Sequence, residues 1–189
     1  IARQCVRFKV HFGLIHGLSG YQGCHIIASC RDFECHHDIR LSSLNADGVD
    51  LALPSWDQVA PILARAGYDP ALVGNSTQEL LRSPWCLKVF LDVAKPGMVF
   101  STLQSLLEEL WIQKVLTGGE AREQVELLEF LARKMSTDEV LWVASSLGDR
   151  WPKALQGLIR EDILSRGPDG RTIGFRHQTF YDFTLARAF

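Results

Sequence analysis

An excess of charge of either sign is the first thing missing: Lys and Arg number 20 against 22 Asp and Glu, a formal balance of −2 over 189 residues. Such a surface does not suit a protein whose main task is coating nucleic acid or an anionic membrane, although it leaves room for a local basic face. Long apolar runs are also missing. None approaches the roughly 20 residues of a bilayer span, and no charged, apolar, small-residue order marks a secretory leader, so a cytoplasmic location without membrane contact is expected. Paired cysteine spacing is absent as well. Cys5, Cys24, Cys30, Cys35 and Cys86 are odd in number, which points to reduced thiols rather than a disulfide framework. Cys35-His36-His37-Asp38 has the chemistry of metal ligands, but adjacent residues rarely converge on one ion and no CxxC or HxxxH completes the set. No metal site is expected.

What is present suffices for a core: 47% of the residues are apolar, and the length fits one large domain or two small ones. The stretch His25-Ile26-Ile27-Ala28-Ser29-Cys30-Arg31-Asp32-Phe33 follows the glycines Gly20 and Gly23 and reads as a short buried strand of a parallel sheet. Arg31 then stands at its carboxyl end, where open α/β sheets bind ligands, and its guanidinium can offer a planar donor fork to a phosphate. Before it, residues 1 to 18 carry apolar side chains at mixed periods with no cap ahead of Ile1, as in a piece cut from something longer. Val49-Asp50-Leu51-Ala52-Leu53 alternates and reads as an edge strand.

Helical periodicity takes over from there. Ser55 caps a helix over 56–66 that Gly67 stops, and Asp69-Pro70 opens another. Thr77 caps a short helix through Leu80 and Leu81. Ser83-Pro84 interrupts it, and Trp85, Leu87, Val89, Phe90 and Val93 then give a strongly apolar helix ended by Lys95-Pro96-Gly97. Residues 99–116 form the longest periodic run, closed by Gly118-Gly119, and a further helix covers 120–135.

The last third changes signature. Ser136 with Glu139 reads as a capping box that opens a helix to about Ser146, and 149–160 gives another. Ile163-Leu164, the turn Gly167-Pro168-Asp169-Gly170 and Thr172-Ile173-Gly174-Phe175 form a hairpin, followed by a helix carrying Phe180 and Phe183. Helix, helix, hairpin, helix is a winged-helix order. A DNA-reading helix at 149–160 would have Lys153 and Arg160, yet Glu161 and Asp162 sit beside them and no basic stripe is formed, so nucleic acid is not the expected partner.

The order of parts resembles a STAND-class P-loop NTPase of the NACHT type. The resemblance is carried by a strand ending in Ser29-Cys30-Arg31, a lid segment Leu80-Leu81-Arg82-Ser83-Pro84-Trp85-Cys86-Leu87, and Phe175-Arg176-His177-Gln178-Thr179-Phe180-Tyr181-Asp182-Phe183. It implies a mainly α fold with small β content: residues 1–54 as the remnant of an α/β NTPase sheet, 55–135 as a helical lid bundle and 136–189 as a winged-helix domain. It also implies Arg31 as the sensor arginine at the γ-phosphate, Pro84 beside the adenine and His177 at the β-phosphate. A mobile lid reaching the nucleotide through Pro84 and His177 would couple phosphate state to domain position. Pro84 as a plain helix breaker and His177 as a plain helix cap are the structural alternatives.

One departure bears directly on activity. No GxxxxGK[ST] loop and no Gly-Lys pair occurs, and Val89-Phe90-Leu91-Asp92 lies in a helical pattern rather than on a Walker B strand. The expectation is therefore a regulatory part that senses ATP against ADP and controls oligomerisation, completed by an N-terminal P-loop segment of the same parent chain. ATP or ADP with Mg would bind only in that intact parent, and these residues alone would not turn ATP over. A winged-helix DNA-binding regulator and a helical interaction module without nucleotide are the alternatives.

Overall fold

Helix caps set most of the architecture. The computed structural model describes residues 17, 18, 21, 49–95, 98, 100–167 and 170–189, and among these it has seven α-helices and a small sheet. They are α1 (Trp56–Arg65), α2 (Asn75–Leu81), α3 (Pro84–Val93), α4 (Leu103–Lys114), α5 (Ala121–Thr137), α6 (Pro152–Arg160) and α7 (Gln178–Arg187). The strands β1 (Val143–Ala144), β2 (Leu164–Arg166) and β3 (Thr172–Phe175) form an antiparallel sheet in the order β1-β3-β2. The chain divides into two compact units, Ile1–Leu51 and Ala52–Phe189. The expected strand 25–33, Arg31 and the Cys35 to Asp38 group lie outside the described residues.

In the second unit, Ser55 precedes α1 in an extended conformation and its N–H donates to Gln58 Oε1 at 2.9 Å, which supplies the first turn with a cap. Gly67, at φ +88°, ends the segment in the left-handed region that glycine enters without a Cβ clash. Ser83 and Pro84 start α3 in the same spirit, since a proline at the first helical position removes an N–H that would have had no partner anyway.

The core is continuous. Leu63 of α1, Leu81 of α2, Leu106 of α4, Leu128 and Leu131 of α5, Leu158 of α6 and Ile173 of β3 are all fully buried in one hydrophobic cluster. By area, each such leucine contributes about 2 to 3 kcal/mol. Helix α5 packs against α6, α7 and β1. An aromatic group ties α4 to α7: Trp111 lies 6.0 Å from both Phe180 and Phe183, and Arg187 places its guanidinium 4.9 Å over the Trp111 ring while pairing with Glu108 at 2.7 Å.

Four local expectations need correction. Residues 49–53 form no strand; Val49, Leu51 and Leu53 are exposed, and no strand lies beside them among the described residues, so the alternation has no face to bury. Asp69-Pro70 opens only a single 3-10 turn, Pro70–Leu72, with Asp69 accepting from Ala71 N–H at 2.9 Å. Thr77 is not a cap: Gly74 is, and the buried Thr77 hydroxyl donates instead to Phe100 O at 2.7 Å. The fourth concerns the expected helix at 136–146.

That helix does not exist because its start signal is a stop. Ser136 lies in the last turn of α5, and Glu139, at φ +52°, occupies the left-handed position just past the end. Glu139 N–H donates to Ser136 O and Val140 N–H to Met135 O at 3.0 Å, the pair of bonds of a Schellman stop. The chain then makes β1 and a 3-10 turn over Ser145–Gly148. Central strand β3 approaches this segment closely. A Cβ on Gly174 would lie 2.6 Å from Leu141 O and 3.0 Å from the Trp142 ring, so glycine is required there for space.

Candidate functional site

The start of α3 and the β3–α7 junction meet. Pro84 is exposed in the first turn of α3, and the half-buried Trp85 beside it lies flat on the imidazole of His177, ring centroids 4.0 Å apart and planes inclined by 10°. Cys86, Leu87, Val89, Phe90 and Val93 of α3 are buried and hold the helix in place. His177 is the N-cap of α7: at φ −133° and ψ 132° it is extended, and its Nδ1 accepts the N–H of Thr179 at 3.3 Å. The capping role weighed for His177 from sequence is thus observed.

Charges bracket this contact. Asp162 Oδ1 meets Arg176 Nε at 3.3 Å, and its Oδ2 meets Lys88 Nζ at 3.5 Å, with Asp92 also on Lys88 at 3.0 Å. Partial burial pulls the Lys88 ammonium toward losing its proton, and the hydrogen bonds and charges of Asp92 and Asp162 together reverse that and raise it. Asp162 itself sits at φ +60°, just past the end of α6, with Asp162 N–H on Ile159 O and Ile163 N–H on Leu158 O at 3.0 Å. That is the glycine position of a Schellman stop, and an aspartate there carries a backbone cost that its short polar side chain softens. The neighbouring Glu161 reaches Lys114 of α4 at 2.7 Å. Its carboxyl is held below the usual value, first by the Lys114 hydrogen bond and against the opposing effect of desolvation.

Of the three site residues named from sequence, Pro84 precedes the tryptophan that stacks on His177, and Arg31 lies outside the described residues. Asp92 falls inside α3, paired with Lys88, as a helical reading of Val89 to Asp92 requires. Trp85, Lys88 and Asp162 were missed. Trp85 stood next to the motif proline, and a large ring placed there was the available signal; the Asp162 pairing joins residues distant in sequence and had none. Among the described residues no group of three or more His, Cys, Asp or Glu could hold a metal ion, and no helix is long and apolar enough to cross a membrane.

Two open clefts lie elsewhere. One of about 450 Å³ runs along α5 beside Phe130, Arg133 and Trp151; another of about 390 Å³ lies between the start of α5 and α6, beside Gln124, Lys153 and Arg160. Neither includes Pro84 or His177. No family model, curated protein or solved structure matches the chain.

Proposed function

We propose that these residues are the lid and winged-helix part of a STAND-class NTPase of the NACHT type, in which Pro84 and His177 report whether ATP or ADP is bound and so control oligomerisation. The observation that supports the reading is the Trp85–His177 stack, in which the residue next to Pro84 lies on His177. The order α5, β1, 3-10 turn, α6, β2, β3 with sheet order β1-β3-β2 agrees with a winged helix. Catalysis belongs to a P-loop segment and to Arg31, with Mg held in the intact parent. The test is nucleotide retention by the full-length polypeptide whose reading frame contains these residues. Purified and denatured, it should release ADP, and His177→Ala should lower the amount about tenfold; a full-length product that carries no nucleotide overturns the reading. These 189 residues alone should show no ATP turnover above a buffer blank.

One observation favours a second reading. Glu161 and Asp162, which argue against DNA in the sequence, are engaged by Lys114, Lys88 and Arg176, so the exposed side of α6 offers Lys153, Gln156 and Arg160. Duplex DNA binding that weakens steeply with salt supports this reading, and its absence at low salt removes it.

A further inference from the structure

We propose that the cleft between the start of α5 and α6 is a binding site for an acidic amino acid, a small molecule with one ammonium and two carboxylate groups. The inference does not rest on the nucleotide reading, because Pro84 and His177 are not part of this cleft.

Two local rules are broken where the two helices meet. Gln124, near the start of α5, is only 7% exposed, and its Oε1 has no hydrogen-bond partner among the described residues. Buried acceptors are nearly always met, and one left unmet is costly. Against it lies Gly157, inside α6, where alanine would suit the helix better. Glycine is there for room: a Cβ would stand 2.8 Å from Gln124 Nε2. Packing alone asks for neither choice, since an apolar side chain at 124 would leave no oxygen unmet. Both residues line one cleft of about 390 Å³, and breaches of local preference collect at functional sites.

The walls of this cleft carry opposite chemistry. On α5 stand Gln124 and the Glu120 carboxylate; on α6 stand the Lys153 ammonium and the Arg160 guanidinium, which share a helix face with Gly157 at steps of four and three residues. Neither Glu120 nor Lys153 has an ion pair among the described residues. Arg160 has Glu161 at 3.8 Å, a carboxylate already engaged by Lys114 at 2.7 Å. Two cations against one carboxylate leave a positive excess, which a ligand of net charge −1 neutralises. Its ammonium answers Glu120 and Gln124 Oε1, and its two carboxylates answer Lys153 and Arg160. A partial turn about the last torsion of Gln124, which has no sharp wells, brings Oε1 to the ammonium. A plain dicarboxylate would leave Oε1 without a donor and set like charge against Glu120.

Calorimetric titration of the chain at neutral pH and low salt, with L-glutamate and with L-aspartate, tests the proposal. The expected result is saturable binding of at least one of them. The matching dicarboxylate, glutarate or succinate, lacks the ammonium, and L-glutamine or L-asparagine lacks the second carboxylate; each should bind about tenfold more weakly or worse. Gln124→Leu removes the unmet oxygen, so it should weaken binding about tenfold while the urea midpoint holds or rises. Lys153→Met, at an exposed position, should weaken binding several-fold at an unchanged midpoint. No saturation by either amino acid at about 10 mM, equal affinity for the dicarboxylate, or undiminished binding by Gln124→Leu overturns the inference. Should Gln124→Leu fail to fold, the dicarboxylate comparison and Lys153→Met still decide it.

Discussion

Lys114 Nζ lies 2.7 Å from Glu161 Oε2, a part-buried ion pair that joins the last turn of α4 to the residue closing α6. The two residues are far apart in sequence, so the pair exists only because the helices pack. Its Coulomb energy is screened at this half-exposed position, and a double-mutant cycle with Lys114→Met and Glu161→Gln should return about 0.2 to 1 kcal/mol.

The same pair sets an acid dependence. Lys114 lowers the Glu161 carboxyl in the folded state, so the stability it lends is present above the unfolded value near pH ~4.3 and is lost as the pH falls through the folded one. Urea midpoints measured across this range should fall less steeply in Lys114→Met than in the unaltered chain. Parallel curves would mean that the pair has no energetic role.

Gly174→Ala should be costly although alanine is the smallest change available. The new methyl group would meet a backbone carbonyl at 2.6 Å, and that carbonyl cannot rotate away as a flexible side chain would. A loss of about 1 to 3 kcal/mol in equilibrium urea unfolding is expected. Gly67→Ala tests a different cause, since a Cβ there meets open space and only the positive φ opposes it.

Thr77→Val keeps shape and removes one hydroxyl. Phe100 O would lose its donor in a buried setting, at a cost of about 1 to 3 kcal/mol by chemical denaturation, whereas a true N-cap threonine on the surface would cost less.

Cys86 should be slow to react with thiol reagents in the folded chain and fast in urea. Burial is the main effect on its thiol and raises it above the ordinary value, with the Ser83 hydrogen bond working the other way. A raised folded value means that its contribution is complete below the unfolded value near pH ~8.5 and is lost as the pH climbs through the folded one. Compared with Cys86→Ala, the unaltered chain should therefore lose extra stability in alkaline urea titrations.

Helices with strong local punctuation were legible before any coordinates. Ser55 with Gly67, Ser83 with Pro84, and the hairpin around Gly167 to Gly170 each state their element in a few residues, and the structure agrees with them. Where the local signal had two meanings it misled. Ser136-x-x-Glu139 spells a helix start, yet the long apolar face of α5 carries the helix through Ser136, and the glutamate is left in the left-handed stop position. Val49 to Leu53 has the alternation of a strand, yet no strand lies beside it among the described residues. At the candidate site, Pro84 and His177 were marked by the resemblance to a nucleotide-binding family, but the ring stacked on His177 was not, because parallel stacking between residues so distant in sequence leaves no periodic trace.

The rings shared by α4 and α7 have a thermal consequence. Separating Trp111 from Phe180 and Phe183 would expose the buried Trp111 and Phe180 rings together, and the leucines of α5 belong to the same cluster. Heating should thus take the region from α1 to α7 apart in one cooperative step, seen in a calorimeter as a single endotherm, with no plateau in which the front helices have melted and the sheet survives.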